Sequence, residues 1–173
     1  RTRVLGIVKE GAAQIVFVDT PGIFKPRRRL DRAMVAAAWA GAADADRVLL
    51  VVDAKRGFDP ETQAIVSELA KARRQVTLVL NKIDRTQKPQ LLALTVALHA
   101  ALPFEQTFMV SALKADGTSE LRAAIAGELP EGPWLFPEDQ LSDMAERALA
   151  AEITREKLFL TLDQEVPYAM TVE

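Results

Sequence analysis

A chain of 173 residues with 49% hydrophobic and 27% charged residues has the composition of a folded globular protein, with material for one domain and part of another, and excludes a disordered one. The formal net charge of -2 supplies no whole-chain field for a nucleic acid, so any such contact must come from a local cluster such as Lys25, Arg27, Arg28 and Arg29. The lack of cysteine excludes disulfides and thiolate metal sites and suits a reducing cytoplasm, and no apolar run approaches the ~20 residues of a spanning helix.

Arg1-Thr2-Arg3-Val4-Leu5-Gly6 has neither an initiator methionine nor a secretory apolar core, so the chain reads as starting within a longer protein. Residues 4–8 and 14–18 predict two strands, and the polar, glycine-bearing stretch 9–13 predicts the hairpin connection between them. Asp19-Thr20-Pro21-Gly22 breaks the second strand. An alanine-rich helix is expected over 30–43, closed by Asp44-Ala45-Asp46 ahead of an apolar strand at 48–52. The alternation repeats as helix 59–74, with Pro60 at an opening position, strand 76–80, helix 89–101, strand 107–110 and helix 119–127. Such a succession predicts an α/β domain over 1–129 with a mostly parallel, doubly wound sheet.

The proline and glycine content of 129–133 predicts a linker, taken as 130–137, whose apolar Trp134-Leu135-Phe136-Pro137 patch is expected to dock rather than float. A second domain is expected over 138–173. It opens with an amphipathic helix over 138–160, carrying Leu141, Met144, Ala145, Ala148, Leu149 and Ile153 at three- and four-residue spacing. A strand follows at 166–172.

Asn81-Lys82-Ile83-Asp84 directly follows the apolar strand 76–80, at the carboxyl end where open α/β sheets bind ligands. A carboxylate at Asp84 can accept two parallel hydrogen bonds from N1–H and the exocyclic amine of guanine, donors that adenine does not present as a pair. Asn81 braces the loop, and the stem of Lys82 lies along the ring. A site built on such donors rejects an analogue lacking them by ~10⁴-fold or more, because the carboxylate is otherwise left desolvated and unpaired. Ser111-Ala112-Leu113-Lys114, after strand 107–110, offers the Ala112 N–H to guanine O6, where adenine carries a donor. By itself Ser111 suits a helix N-cap equally well. Asp19-Thr20-Pro21-Gly22 adds a carboxylate able to hold Mg²⁺ through water and a glycine N–H able to approach a terminal phosphate. Alone it is also a good turn sequence. Asp19, Asp84 and Ser111 all follow predicted strands, which is expected to set the three segments along one sheet edge.

These segments resemble three signatures of the translation-factor-related GTPases, and the chain is most similar to the Era family. Arg1-Thr2-Arg3-Val4-Leu5-Gly6-Ile7 looks like the stretch just after that family's switch I threonine, so Thr2 is not the Mg²⁺-binding threonine. The stretch 131–140, then Glu152-Ile153-Thr154-Arg155-Glu156-Lys157 and Val166-Pro167-Tyr168, are similar to the beginning of the family's KH-type RNA-binding domain. The resemblance implies a P-loop NTPase-type G domain with an incomplete sheet, followed by the start of an α+β type II KH domain. It implies GTP/GDP binding through Asp19, Thr20, Pro21, Gly22, Asn81, Lys82, Asp84, Ser111, Ala112 and Leu113, with Mg²⁺ held by Asp19 through water. It further implies GTP hydrolysis as a switch in 16S rRNA processing and 30S subunit assembly, in the cytoplasm, with peripheral association at the inner membrane.

No Gly-x-x-x-x-Gly-Lys-[Ser/Thr] occurs in the sequence, and no Gly-x-x-Gly follows Tyr168. The expectation is a piece of a longer protein, inactive in hydrolysis on its own. In the implied fold the strand ahead of the phosphate loop lies mid-sheet, so its absence leaves two strand edges unpaired. Ile23 stands where several GTPases carry a water-orienting glutamine, which a branched alkyl group cannot replace, so slow intrinsic turnover is expected. The alternative class is a non-hydrolysing RNA-docking or scaffold module. His99, Asp53, Trp39 and Trp134 are read as structural, and the basic cluster at 25–29 as a solvated loop or an RNA contact.

Overall fold

The structure, a computed structural model, describes residues 4–19, 45–140, 150, 151, 153, 154 and 157, with Val4 and Asp19 described by their backbone. The expectations for Thr20, Pro21, Gly22, Ile23, the cluster at 25–29, Trp39, the helix over 30–43 and the strand over 166–172 lie outside the described residues.

Strands β1 (Val4–Glu10) and β2 (Ala13–Asp19) form the expected antiparallel hairpin, pairing Val4 with Asp19 and Glu10 with Ala13. Its connection is shorter than expected. Only Gly11 and Ala12 lie outside the ladder, and Gly11 takes φ 58 at the first central position, where hairpin turns of the II′ kind need glycine. Lys9 and Glu10 look like loop residues by polarity, yet ladder hydrogen bonds use the backbone and leave polar side chains free at a solvated end.

The second sheet holds three parallel strands, β3 (Val48–Asp53), β4 (Val76–Asn81) and β5 (Thr107–Val110), in the order β3-β4-β5. Helix α1 (Pro60–Ala72) follows β3 and α2 (Lys88–Ala101) follows β4, while α3 (Thr118–Glu128) follows β5. Local chemistry sets their ends. The Asp59 carboxylate caps α1 by accepting from Thr62 N at 2.8 Å, Pro60 fills the first turn, and Arg73 closes the helix in the left-handed region. Gln87 and Gln90 form a reciprocal capping box at the start of α2.

β4 is the centre of the core. Val76, Leu78 and Leu80 are fully buried, and they pack with Leu50 and Val52 of β3, Val66 and Leu69 of α1, and Leu91, Leu94 and Leu98 of α2. Each such side chain contributes about 1.5–3 kcal/mol by leaving water. The hairpin has its own smaller contact region, where Ile7, Ile15 and Ile125 of α3 are buried and Arg122 pairs with Glu10 at 3.2 Å. At the amino end of the parallel sheet Arg47 reaches Glu105 at 3.0 Å and Glu128 at 3.3 Å, tying the start of β3 to the approach to β5 and the end of α3.

The α/β class and the parallel sheet are as the sequence implies. β2, which Asp19 ends, pairs with β1, and among the described residues no ladder joins β2 to β3, in keeping with the expectation of two strand edges left without the strand between them. The split falls where the resemblance puts the strand ahead of a phosphate loop. Residues 138–140 are also not helical; they form a turn closed by Gln140 N donating to Pro137 O at 3.1 Å. The helix expected from 138 therefore starts later, and residues 150, 151, 153, 154 and 157 are helical.

Leu80→Ala should cost about 2–5 kcal/mol, since it opens a cavity at the fully buried centre of the sheet. Chemical denaturation is expected to show a lower midpoint with an unchanged slope.

Candidate nucleotide-binding site

Two loops leave the carboxyl ends of β4 and β5 side by side, because the parallel register sets Asn81 opposite Val110. After Asn81 the chain turns through Lys82, which adopts the left-handed conformation (φ 65, ψ 35), into a single 3-10 turn at Ile83–Arg85. After Val110 comes Ser111 and a second 3-10 turn at Ala112–Lys114, with Ala115 left-handed at φ 54. A two-way bridge closes this second loop: Ser111 N donates to Asp116 O at 3.0 Å and Asp116 N to Ser111 O at 3.1 Å.

Side chains join the loops. Asn81 Oδ1 accepts from Lys82 N at 2.7 Å and from Ala112 N at 3.1 Å. Ser111 Oγ donates to Asp84 Oδ1 at 2.7 Å and accepts from Lys114 N at 3.3 Å. Both readings of Ser111 therefore hold at once, cap and pocket, and the residue is almost completely buried. The Ser111 hydroxyl is the main reason the Asp84 carboxyl sits below its ordinary value of 3.8; partial desolvation opposes this, while the residue's own backbone N–H and the charges of Lys114 and Arg85 add to it. Asp84 is thus a carboxylate at neutral pH, positioned by one hydrogen bond, with lone pairs left for further donors.

Asn81, Lys82, Asp84, Ser111 and Ala112 come together as expected, with exposed Leu113 beside them. Asp19 ends β2, in the hairpin ladder. Two details differ from expectation. The Ala112 N–H, expected to face guanine O6, is donated to Asn81 here. The Lys82 ammonium does not hang free: Nζ pairs with Asp53 Oδ2 at 2.7 Å, and Asp53 Oδ1 accepts from Lys55 N at 2.9 Å. Asp53, read as a loop residue, therefore positions Lys82. The available signal was a carboxylate directly at the end of an apolar strand, and it becomes decisive only with the register that sets Asp53 opposite Asn81.

The Asp53 carboxyl is held below 3.8 chiefly by the Lys82 hydrogen bond, against partial desolvation and with help from the Lys55 N–H. A depressed carboxylate stabilises the fold above its unfolded pKa, and this contribution is lost as pH falls through the folded value. The Asp53–Lys82 link should therefore be complete at neutral pH and open only in acid. Lys82→Ala is expected to raise the Asp53 midpoint toward 3.8 in a carboxyl-carbon NMR titration.

Gly117, left-handed at φ 70, ends the second loop and starts α3; a Cβ there would lie 2.4 Å from Met109 O. Gly117→Ala should destabilise the protein by about 1–3 kcal/mol through backbone strain and the forced shift, seen as a lower melting temperature.

Residues 7–131 match the family model of the elongation factor Tu GTP binding domain. The chain is 58% identical to GTPase Era of Dinoroseobacter shibae, with 100% of this chain and 57% of that protein aligned. It is 54% identical to GTPase Era of Brucella melitensis, covering 100% of this chain and 56% of that protein. It thus spans a little over half the length of the curated relatives it matches. Among solved structures it resembles Era in complex with MgGDPNP and nucleotides 1506–1542 of 16S ribosomal RNA, at TM-score 0.81 and 38% identity over 97% of this chain and 58% of that one. A variant of Aquifex aeolicus Era bound to GDP and aluminium fluoride gives TM-score 0.79 at 38% identity, over 96% of this chain and 57% of that one.

Proposed function

The chain belongs to the family of elongation factor Tu GTP binding domains and, within it, to the Era GTPases, and from that premise we propose that its parent protein binds and hydrolyses GTP as a switch acting on 16S rRNA during 30S subunit assembly. The observation that carries the reading is the Ser111–Asp84 hydrogen bond of 2.7 Å, which fixes a carboxylate between two loops at the carboxyl end of a parallel sheet. Asp84 then accepts from guanine N1–H and the exocyclic amine, and the Lys82 stem, anchored at its tip by Asp53, forms one side of the base slot. The Ala112 N–H reaches O6 by sharing or exchanging its Asn81 acceptor.

Mg²⁺ fits this reading. Among the described residues no group of three or more His, Cys, Asp or Glu could hold a metal. A nucleotide-bound Mg²⁺ needs none, since it takes one or two carboxylates together with phosphate oxygens and water. Asp19 would hold it through water, and Thr20, Pro21 and Gly22 would follow as the segment that meets the terminal phosphate. The ion supplies charge neutralisation at the phosphates when bound. This chain's own residues supply base choice and the position of the segment after β2.

The Era structure in complex with 16S ribosomal RNA supports the RNA partner. Family likeness alone supports the 30S role, a KH domain over 138–173, cytoplasmic work and peripheral contact at the inner membrane. Among the described residues no helix is long and apolar enough to cross a membrane.

Asp84→Asn in the full-length parent should weaken GTP by roughly 10²-fold or more and turn preference toward xanthosine triphosphate, whose C2 oxo group accepts where guanine donates. Competition titration reads this, and an unchanged preference for GTP removes Asp84 from the base slot.

A further inference from the structure

Gln14, near the start of β2, spends its whole side-chain amide on one stretch of main chain lying 122 residues further along. Its Nε2 donates to Phe136 O at 2.8 Å, while its Oε1 accepts from Leu135 N at 2.9 Å and Phe136 N at 3.0 Å. The amide thereby does what a neighbouring strand does, satisfying backbone donors and an acceptor together. Flanking contacts hold the same stretch. Trp134 Nε1 donates to Ala12 O at 2.9 Å in the hairpin turn, Lys9 Nζ lies 5.2 Å from the centre of the Trp134 ring, and Lys9 also pairs with Glu138.

Residues 134–138 are therefore strapped across the turn end of the β1–β2 hairpin. Leu135 remains 75% exposed, while Trp134 and Phe136 are partly covered, so polar contacts and modest apolar burial together hold the strap. Neutral hydrogen bonds at a partly solvated surface have small net worth, and a contact of this kind opens and closes without disturbing the β3-β4-β5 core.

At its other end the same strand, β2, finishes at Asp19 and leads into Thr20-Pro21-Gly22, the segment read above as meeting the terminal phosphate. An unbroken ladder from Val4–Asp19 to Glu10–Ala13 makes the hairpin one ribbon, so a displacement at one end is carried to the other. We infer that the strap is an intramolecular interface through which nucleotide state reaches the chain beyond Gln140: the ribbon transmits it, Gln14 passes it to the Leu135–Phe136 peptide, and the strap is the element with two states, closed and open. The inference rests on the GTP-binding reading of Asp19 and Gly22, whereas the strap itself rests on the hydrogen bonds alone.

The test is backbone amide exchange by mass spectrometry on the full-length parent, without nucleotide, with GDP and with a non-hydrolysable GTP analogue. Gln14→Ala should speed exchange at Leu135 and Phe136 by about tenfold or more without nucleotide and abolish any nucleotide dependence there, with GTP affinity within about twofold of wild type. Trp134→Phe removes only the indole donor and should give a smaller acceleration with the hairpin intact, so the strap remains testable where Gln14→Ala misfolds. Equal exchange in wild type and variants overturns the strap. A wild type that binds both nucleotides with no difference at Leu135 and Phe136, or a Gln14→Ala protein that retains the difference, overturns the coupling. Failure of the wild type to bind GTP overturns the proposed function instead, and leaves the nucleotide-free comparison to judge the strap.

Discussion

One side-chain oxygen joins the two halves of the candidate site. Asn81 Oδ1 accepts from the backbone N–H of Lys82, in its own loop, and from that of Ala112, in the next. It can do so because strand periodicity puts Asn81 on the face of Thr77 and Val79, opposite the fully buried row Val76, Leu78 and Leu80. A slip of β4 by one residue would send that apolar row to the wrong face and carry Asn81 away from Ala112. The hydrophobic core therefore sets the register, and the register sets the polar site. Neither loop needs rigidity of its own beyond the closing bridge between Ser111 and Asp116.

The same dependence explains Lys82. A non-glycine residue in the left-handed region costs about 1–2 kcal/mol, and this one persists at φ 65. Its two ends are both held: its backbone N–H by Asn81 Oδ1, and its ammonium by Asp53 across the β3–β4 ladder. A half-exposed ion pair is worth at most about 1 kcal/mol, so neither contact alone offsets the strain, and the conformation requires both. Asp53 matters here as the second anchor of a strained turn rather than as a source of stability.

The strands and helices of the parallel sheet were legible because each apolar run is long enough to be buried and, for α1, because Pro60 marks the helix start. The meeting of Asn81, Asp84, Ser111 and Ala112 was legible because their types and their place after strands coincide. What stayed hidden depends on pairing across distance. The Asp53–Lys82 link follows only once Asp53 is known to lie opposite Asn81, and the Gln14 contacts reach a segment that no local pattern connects to it. The hairpin turn was read too long because polarity marks exposure, not the end of a ladder.

These differences divide the molecule into parts held by different forces. Two helices and two strands, β3 and β4, share one apolar cluster, in which Leu78, Leu80 and Leu98 have no exposed surface. Among the described residues the hairpin meets the rest through Ile7 and Ile15 against the α3 side, the ion pair of Arg122 with Glu10, and the contacts of Gln14, Ala12 and Lys9 with 134–138. Apolar burial is hard to undo in small steps, because a tightly packed core resists gradual deformation. Polar contacts at a solvated surface exchange with water at little net cost. The hairpin is thus the described element best suited to shift while the loops after β4 and β5 stay fixed.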